Sequence, residues 1–489
     1  MEQYKYSSAD GKVWTRKLHG SEVIMANAAK TLNGWGLFSI GVSLSMLSPT
    51  NNIKQNVSDA WTRLRHALPA LAALSRGEED GSGPVFLYQV DDLREWLDKT
   101  IIWHKDEISL AQRHVESKKR AWTASDGHYA SELHVSSTTT GLQALIHGAH
   151  WNVDARYLFS VMDLYLSLLK REILKESAPL AALNWGEETV RLPPSAAVAS
   201  GLFGQPFPPP PPGNPIIFMR PCKLVDNPPP ESIPDYTHRI TLTTEESSQF
   251  RQACKSRGRT ATQILGSLWV LAEIKTTMWL AKTQPDKYGE AADLYKTADL
   301  TVCALTLNAR NKLLTEYSSL SSVNATPGMS VDSVPVMFDM NVVRKALQVS
   351  SEGISFRNSD PTVFWNEVVP AFIAAWGSVP TDAASFVSRE EFFNAHPEVL
   401  TFDKPAIVCS SIGDIDMLGL IGKTAFAPAF TVDELDSAIR FSGPLNGVMV
   451  WQWSGRMELR FASGPKTVEK SVLEHQAQIY MDMLRLVSL

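Results

Sequence analysis

Apolar positions in this chain fall into two rhythms. Around residues 34–47, "GWGLFSIGVSLSML" is apolar, short and glycine-rich, which predicts a buried strand. From Val57, "VSDAWTRLRHALPALAALS" carries apolar residues at helical spacing. "GPVFLYQV" predicts a strand, and "DDLREWLDKTIIWHKDEIS" opens on acidic residues and predicts a helix over 91–109. "LQALIHGAH", 142–150, is a short apolar run that predicts a central strand. "DARYLFSVMDLYLSLLKREILKE", from Asp154, is a long helix with a broad apolar face and basic residues at its end.

A similar alternation follows after residue 237. "HRITLTT" predicts a strand, and the next helix starts with Thr244 as its N-cap and stops at Gly258. "TATQILGSLWVLAEIKTTMWLAK" predicts a more buried helix, and "LTVCALTLNAR" a strand. "AIVCSSIGDI" predicts a strand running into a turn. "GVMVWQW" and "GRMELRFAS" form a hairpin pattern before a closing amphipathic helix.

Between the halves lies "GQPFPPPPPGNPIIFMRPCKLVDNPPPESIPDY". So many prolines exclude a helix or an inner strand. The expected division is therefore 1–203, a crossing linker 204–236, and 237–489. At 489 residues the chain exceeds what one core usually supports. Strands and helices mix in each half, so the expected class is α/β, layered in the α+β sense, with two similar domains. The segment 314–336 is expected to be a mobile or pocket-covering loop.

Composition narrows the partners. The net charge is −6 and no long basic run occurs, so nucleic acid has little electrostatic support. The first twenty residues lack the basic-then-apolar order of a secretory signal, and no charge-free apolar run reaches the roughly 18 residues of a membrane span. Cys222, Cys254, Cys303 and Cys409 lie far apart without a CxxC, so no zinc site or disulfide framework is expected. A reducing cytoplasm is the expected location.

The candidate chemistry sits in "HGAHWNVDA", 147–155. His150 falls in the turn between strand and helix, where α/β folds expose functional residues. A neutral imidazole there can take a proton from an alcohol. Asp154, at the helix start, can cap backbone amides or pair with an arginine. A buried structural pair is the alternative. His147 and His150 point to opposite faces of a strand, so a paired-histidine metal site is not expected. Asp414 and Asp416 read as turn carboxylates. Nucleotide-binding glycine loops, HExxH and the GxSxG elbow are absent.

"HWNVDA" resembles the HxxxD(G) motif of the chloramphenicol-acetyltransferase-like superfamily, which includes CoA-dependent O-acyltransferases and peptide-synthetase condensation domains. "NWGEETVRLPPS", "ITLTTEESSQFRQACKSRGRTATQILGSLWVLA", "LTLNARNKL" and "CSSIGDID" resemble, in order, later segments of its fungal members. The likeness covers the chain from about residue 20 onward and is strongest to the trichothecene 15-O-acetyltransferase type. It implies two domains with a tunnel between them, entered by acyl-CoA from one side and an alcohol from the other. It implies His150 as general base and Asp154 as a structural residue paired with Arg310 or Arg156. Ser410 or Ser411 would lie near the cofactor and oxyanion, while Asn308 and Gly413 would shape the surroundings. The co-substrate would be acetyl-CoA, with no metal, and the protein would act as a monomer.

Two positions depart from the pattern. Ala149 stands where condensation domains carry a second histidine, which favours a stand-alone acyltransferase. Ala155 stands where glycine is usual, and its methyl can narrow the tunnel. The expected activity is O-acetylation of a hydrophobic secondary metabolite. Amide formation or cyclisation without CoA, and a non-catalytic binding or scaffold role, are the alternatives.

Overall fold

The computed structural model describes every residue except 50–51, 78–82, 140, 208–212, 231, 321–324, 351–352, 358–359 and 400–405. Parts of the proline-rich segment and of the 314–336 loop therefore lie outside the described residues. Two sheets organise the mixed α/β fold. The first has five strands, in the order Phe430–Ile439, Leu37–Met46, Gly141–Ala149, Ser131–Ser137 and Ile101–His104. The second orders Tyr236–Thr241, Arg456–Ser463, Asn446–Trp453, Ile407–Asp414, Leu300–Asn308 and Val331–Asp339, with Ile217–Phe218 beside Leu300–Asn308.

The strand Gly141–Ala149 is central in the first sheet and covered on both faces. All but its first residue are buried, which explains the unbroken apolar run in the sequence. The helix Ala155–Ile173 follows it and packs on Ile53–Ala67. Tyr157, Leu158, Val161, Met162, Tyr165 and Leu169 make its buried face. Burial of such side chains stabilises by about 1.5–3 kcal/mol each. The core of the second half centres on Ala261–Thr283, which closes against Lys470–Ser488. By length and composition that helix alone among the described residues could cross a membrane, yet 83% of the window is buried within the fold.

Several boundaries differ from expectation. Thr243, not Thr244, caps the helix Thr244–Ser256, because its hydroxyl and Glu246 form a reciprocal capping box. The expected helix over 91–109 stops at Thr100, and Ile101–His104 pairs in parallel with Leu133–Ser136. Branched Ile101 and Ile102 suit the sheet edge better than a helix. The 314–336 loop ends early, in the strand Val331–Asp339. Within 204–236, Ile217–Phe218 pairs with Leu300–Thr301, so that segment also adds to the second sheet. Most consequentially, Phe430–Ile439 lies in sequence within 237–489 yet pairs with Leu37–Met46 of the first sheet.

Candidate active site

His150 stands one residue beyond the central strand, where the chain turns towards Ala155–Ile173. Its amide donates to the carbonyl of Gly36 at 3.1 Å. Its Nδ1 lies 2.8 Å from the carbonyl oxygen of Val153. A carbonyl only accepts, so Nδ1 carries the proton and Nε2 keeps a lone pair. Burial holds the imidazole below its ordinary pKa, against the opposing pull of the Val153 bond and Asp154. The ring is therefore neutral at pH 7. Trp35 and Phe38 flank it, each with a ring centroid 6.2 Å away.

Asp154 does not reach into the same space. It is the N-cap of the following helix, and its Oδ1 accepts from Tyr157 N at 2.8 Å. Arg310 grips the carboxylate with both terminal nitrogens, Nη1 to Oδ1 at 3.2 Å and Nη2 to Oδ2 at 2.9 Å. Ser330 N donates to Oδ2 at 2.9 Å. Of the two candidate arginines, Arg310 is the partner. Asn308 Oδ1 accepts from Arg310 Nη1 at 3.2 Å and orients the guanidinium. Arg310 Nη2 also donates to the carbonyls of Pro327 and Gly328. This buried network ties the turn after the first sheet's central strand to the second sheet.

A cavity of about 290 Å³ opens beside His150, between the two sheets. Trp35, Phe38 and Ala155 face it from one side; Ala304, Thr306, Val408 and Ser410 face it from the other. Its wall is chiefly apolar. Its only charged lining residue among those described is Arg460, which is bound to Asp436 at 2.5 and 2.7 Å. Ala155 thus places its methyl on the cavity wall.

Ser410 and Ser411 separate, because neighbouring strand residues face opposite ways. Ser410 lines the cavity and pairs with Thr306 Oγ1 at 3.0 Å. Ser411 pairs instead with Thr262 of the core helix at 2.9 Å. Gly413 has φ +109° and follows a register shift between Ser411 and Gly413, so it serves a bulge. Asp414 accepts from Met417 N and Gln452, and Asp416 from Gly455 N, as turn carboxylates do. Among the described residues no group of His, Cys, Asp and Glu could hold a metal.

Two supporting glycines escape a motif search. Gly36 has φ +85°, and an added Cβ would lie 3.1 Å from His150 Cβ. At Gly328 a Cβ would fall 2.1 Å from the carbonyl oxygen of Asn152. Each allows a distant backbone to press on the 150–154 turn. The "GWG" at 34–36 and "TPGMS" at 326–330 are the only local signals, and neither names its long-range neighbour.

This arrangement of two sheets is a fold also found in solved structures of an acetyltransferase and of condensation domains. A trichothecene 15-O-acetyltransferase from Fusarium sporotrichioides is similar over 100% of this chain and 99% of its own, with TM-score 0.71 and 14% identity. Polyketide synthase associated protein 5 from Mycobacterium tuberculosis is similar over 97% of both chains, with TM-score 0.60 and 13% identity. The first condensation domain of the CDA synthetase is similar over 96% of both chains, at TM-score 0.57 and 14% identity. No protein-family model and no curated protein matches the sequence.

Proposed function

We propose that this protein is an acyl-CoA-dependent O-acyltransferase that acetylates a hydroxyl on an apolar small molecule. The observation that carries the reading is the Nδ1–Val153 hydrogen bond, which leaves a neutral imidazole with a free Nε2 on the wall of an apolar cavity. His150 Nε2 accepts the alcohol proton as the oxygen attacks the thioester carbonyl. The C–S bond then breaks, and the imidazolium returns the proton to the departing thiolate. General-base assistance of this kind contributes about 10²–10⁴ in rate. Ser410, on the cavity wall, is the proposed donor to the developing oxyanion: its oxygen accepts from Thr306 Oγ1, which leaves its own proton to donate. Asp154 is a positioning residue: its four hydrogen bonds hold the turn from behind.

In this reading 1–203 and 237–489 are two domains joined by 204–236, and the cavity is part of a tunnel between them. Phe430–Ile439 returns from the second to the first. The similarity to an acetyltransferase along nearly the whole chain supports the reading, as does the single histidine beside Ala149. The protein acts as a monomer in a reducing cytoplasm, where buried Cys254 and Cys409, pushed up to about 12 by burial, stay as inert thiols.

A second reading keeps His150 but forms an amide or a ring on a bound metabolite without CoA. The neutralised Arg460 favours it, because the His150 cavity offers no unmatched positive charge to a nucleotide phosphate. Acetyl-CoA binding by calorimetry separates the two. The transfer assay combines the protein, acetyl-CoA and a panel of hydroxylated metabolites, read by mass spectrometry. A product heavier by one acetyl group, lost in folded His150→Ala, supports O-acetylation. Equal product from both proteins removes His150 as the base, and no CoA binding removes the acyl-CoA reading.

A further inference from the structure

A second compartment of about 470 Å³ adjoins the His150 cavity. It runs along the starts of Leu300–Asn308, Ile407–Asp414 and Asn446–Trp453, beside Ile217–Cys222. Ala304, Val399 and Ala406 line both spaces, so the two meet at a neck whose side chains are small or branched. Phe218, Met219, Val302, Ile407 and Val468 make the rest of the wall largely apolar.

The compartment has two charged lining residues among those described, Arg220 and Glu273, and they neutralise each other at 2.6 Å. Glu273 Oε2 also accepts from Asn446 at 3.0 Å and Gln476 at 2.8 Å. Gln476 Oε1 in turn accepts from Asn446 at 2.6 Å and Arg220 at 3.1 Å. Glu273 Oε2 thus accepts from three donors and the cluster carries no net charge, while Arg220 Nε and Nη1 are buried without a hydrogen-bond partner among the described residues. A phosphate or carboxylate entering here would lose its water and gain no unmatched cation. An uncharged apolar molecule would lose only water that wets an apolar wall. Met219, 39% exposed, places this wall at the protein surface.

We infer that this compartment receives the uncharged, apolar, hydroxyl-bearing acceptor, which reaches His150 past Ala304 and Ala406. The inference rests on the acyl-transfer reading, and it assigns the phosphate-bearing acyl donor to a different approach. The acceptor class is an alcohol with an extended hydrocarbon body, larger than the His150 cavity alone would hold.

The test uses the intact protein with 1-decanol, 1-butanol and acetyl-CoA as separate probes in calorimetry. Ala304→Phe blocks the neck and Val302→Trp fills the compartment, with circular dichroism confirming that each variant folds. Decanol has six more methylenes than butanol and is expected to bind about four-thousandfold more tightly when all six are buried, since each favours binding roughly fourfold. Each variant is expected to weaken decanol at least about tenfold, and Val302→Trp, which lies outside the His150 cavity, is expected to leave acetyl-CoA affinity within about twofold. Undiminished decanol binding in the variants, or no decanol binding by the wild type, overturns the assignment. Weakened acetyl-CoA binding with decanol unchanged overturns it in favour of the donor. Decanol that binds as expected but is never acetylated leaves the apolar compartment standing and defeats the acyl-transfer reading. Decanol acetylated equally by wild type and variants does the reverse.

Discussion

Replacing Arg310 by methionine tests how the 150–154 turn is held. Asp154 is 1% exposed and receives four donors: Tyr157 N, Ser330 N and two from Arg310. The substitution removes two of the four and the only countercharge in direct contact among the described residues. At about 4 Å and an effective dielectric near 20, the lost attraction is about 4 kcal/mol. Removing one partner of a buried pair typically costs about 3–5 kcal/mol. Two amide donors stay in place and keep solvating the carboxylate, so the lower end applies: about 3 kcal/mol. The carbonyls of Pro327 and Gly328 also lose their donor. Urea unfolding at pH 7, followed by circular dichroism, measures the change through the midpoint and slope. Asp154→Asn in the same background removes the stranded charge, so the double variant is expected to recover about 1–3 kcal/mol relative to the sum of the singles. A loss below about 1 kcal/mol for Arg310→Met, or strictly additive singles, would refute the claim that this pair organises the turn.

Other outcomes follow from the same geometry. His150→Gln is expected to lower the acetyl-transfer rate by about 10²–10⁴ while leaving the far-ultraviolet spectrum unchanged; retention of wild-type rate sinks the base assignment. Gly328→Ala places a methyl 2.1 Å from the Asn152 carbonyl oxygen, and the backbone shift this forces is expected to cost about 1–3 kcal/mol in urea unfolding. His114 and His147 are fully buried, and burial lowers both, His114 to about 3. The unfolded chain then binds protons that the folded chain refuses. Their contribution is complete above about pH 6.5 and falls as pH drops, by up to about 1.4 kcal/mol per pH unit for each imidazole. Unfolding midpoints at pH 8, 6 and 5 should converge for wild type and His114→Gln as pH falls; parallel lines would contradict the linkage.

The local signals in the sequence were those set by short-range chemistry. The unbroken apolar run before His150 marks a strand covered on both faces, and Asp154 ahead of an apolar stripe marks a helix start. Both can be read without knowing what lies opposite. The partner of Asp154 could not be read so directly, because Arg156 and Arg310 satisfy the same chemistry and only the packing of the second sheet selects Arg310. Ser410 and Ser411 were likewise equivalent until the facing of one strand separated them. Ile101–His104 was read into a helix because its acidic lead-in outweighed four residues of sheet-forming character. Phe430–Ile439 reads as a strand from its own residues at best, and its neighbour lies almost four hundred positions away.

That returning strand sets an order for synthesis. Leu37–Met46 pairs on one side with Gly141–Ala149, which is made early, and on the other with residues made near the end. Until residue 439 has left the ribosome, the first sheet presents a bare apolar edge with unpaired amides and carbonyls. A nascent chain halted anywhere before that point is therefore a candidate for chaperone capture or edge-to-edge association. The first half expressed alone should inherit the same exposed edge, even though it carries both His150 and Asp154.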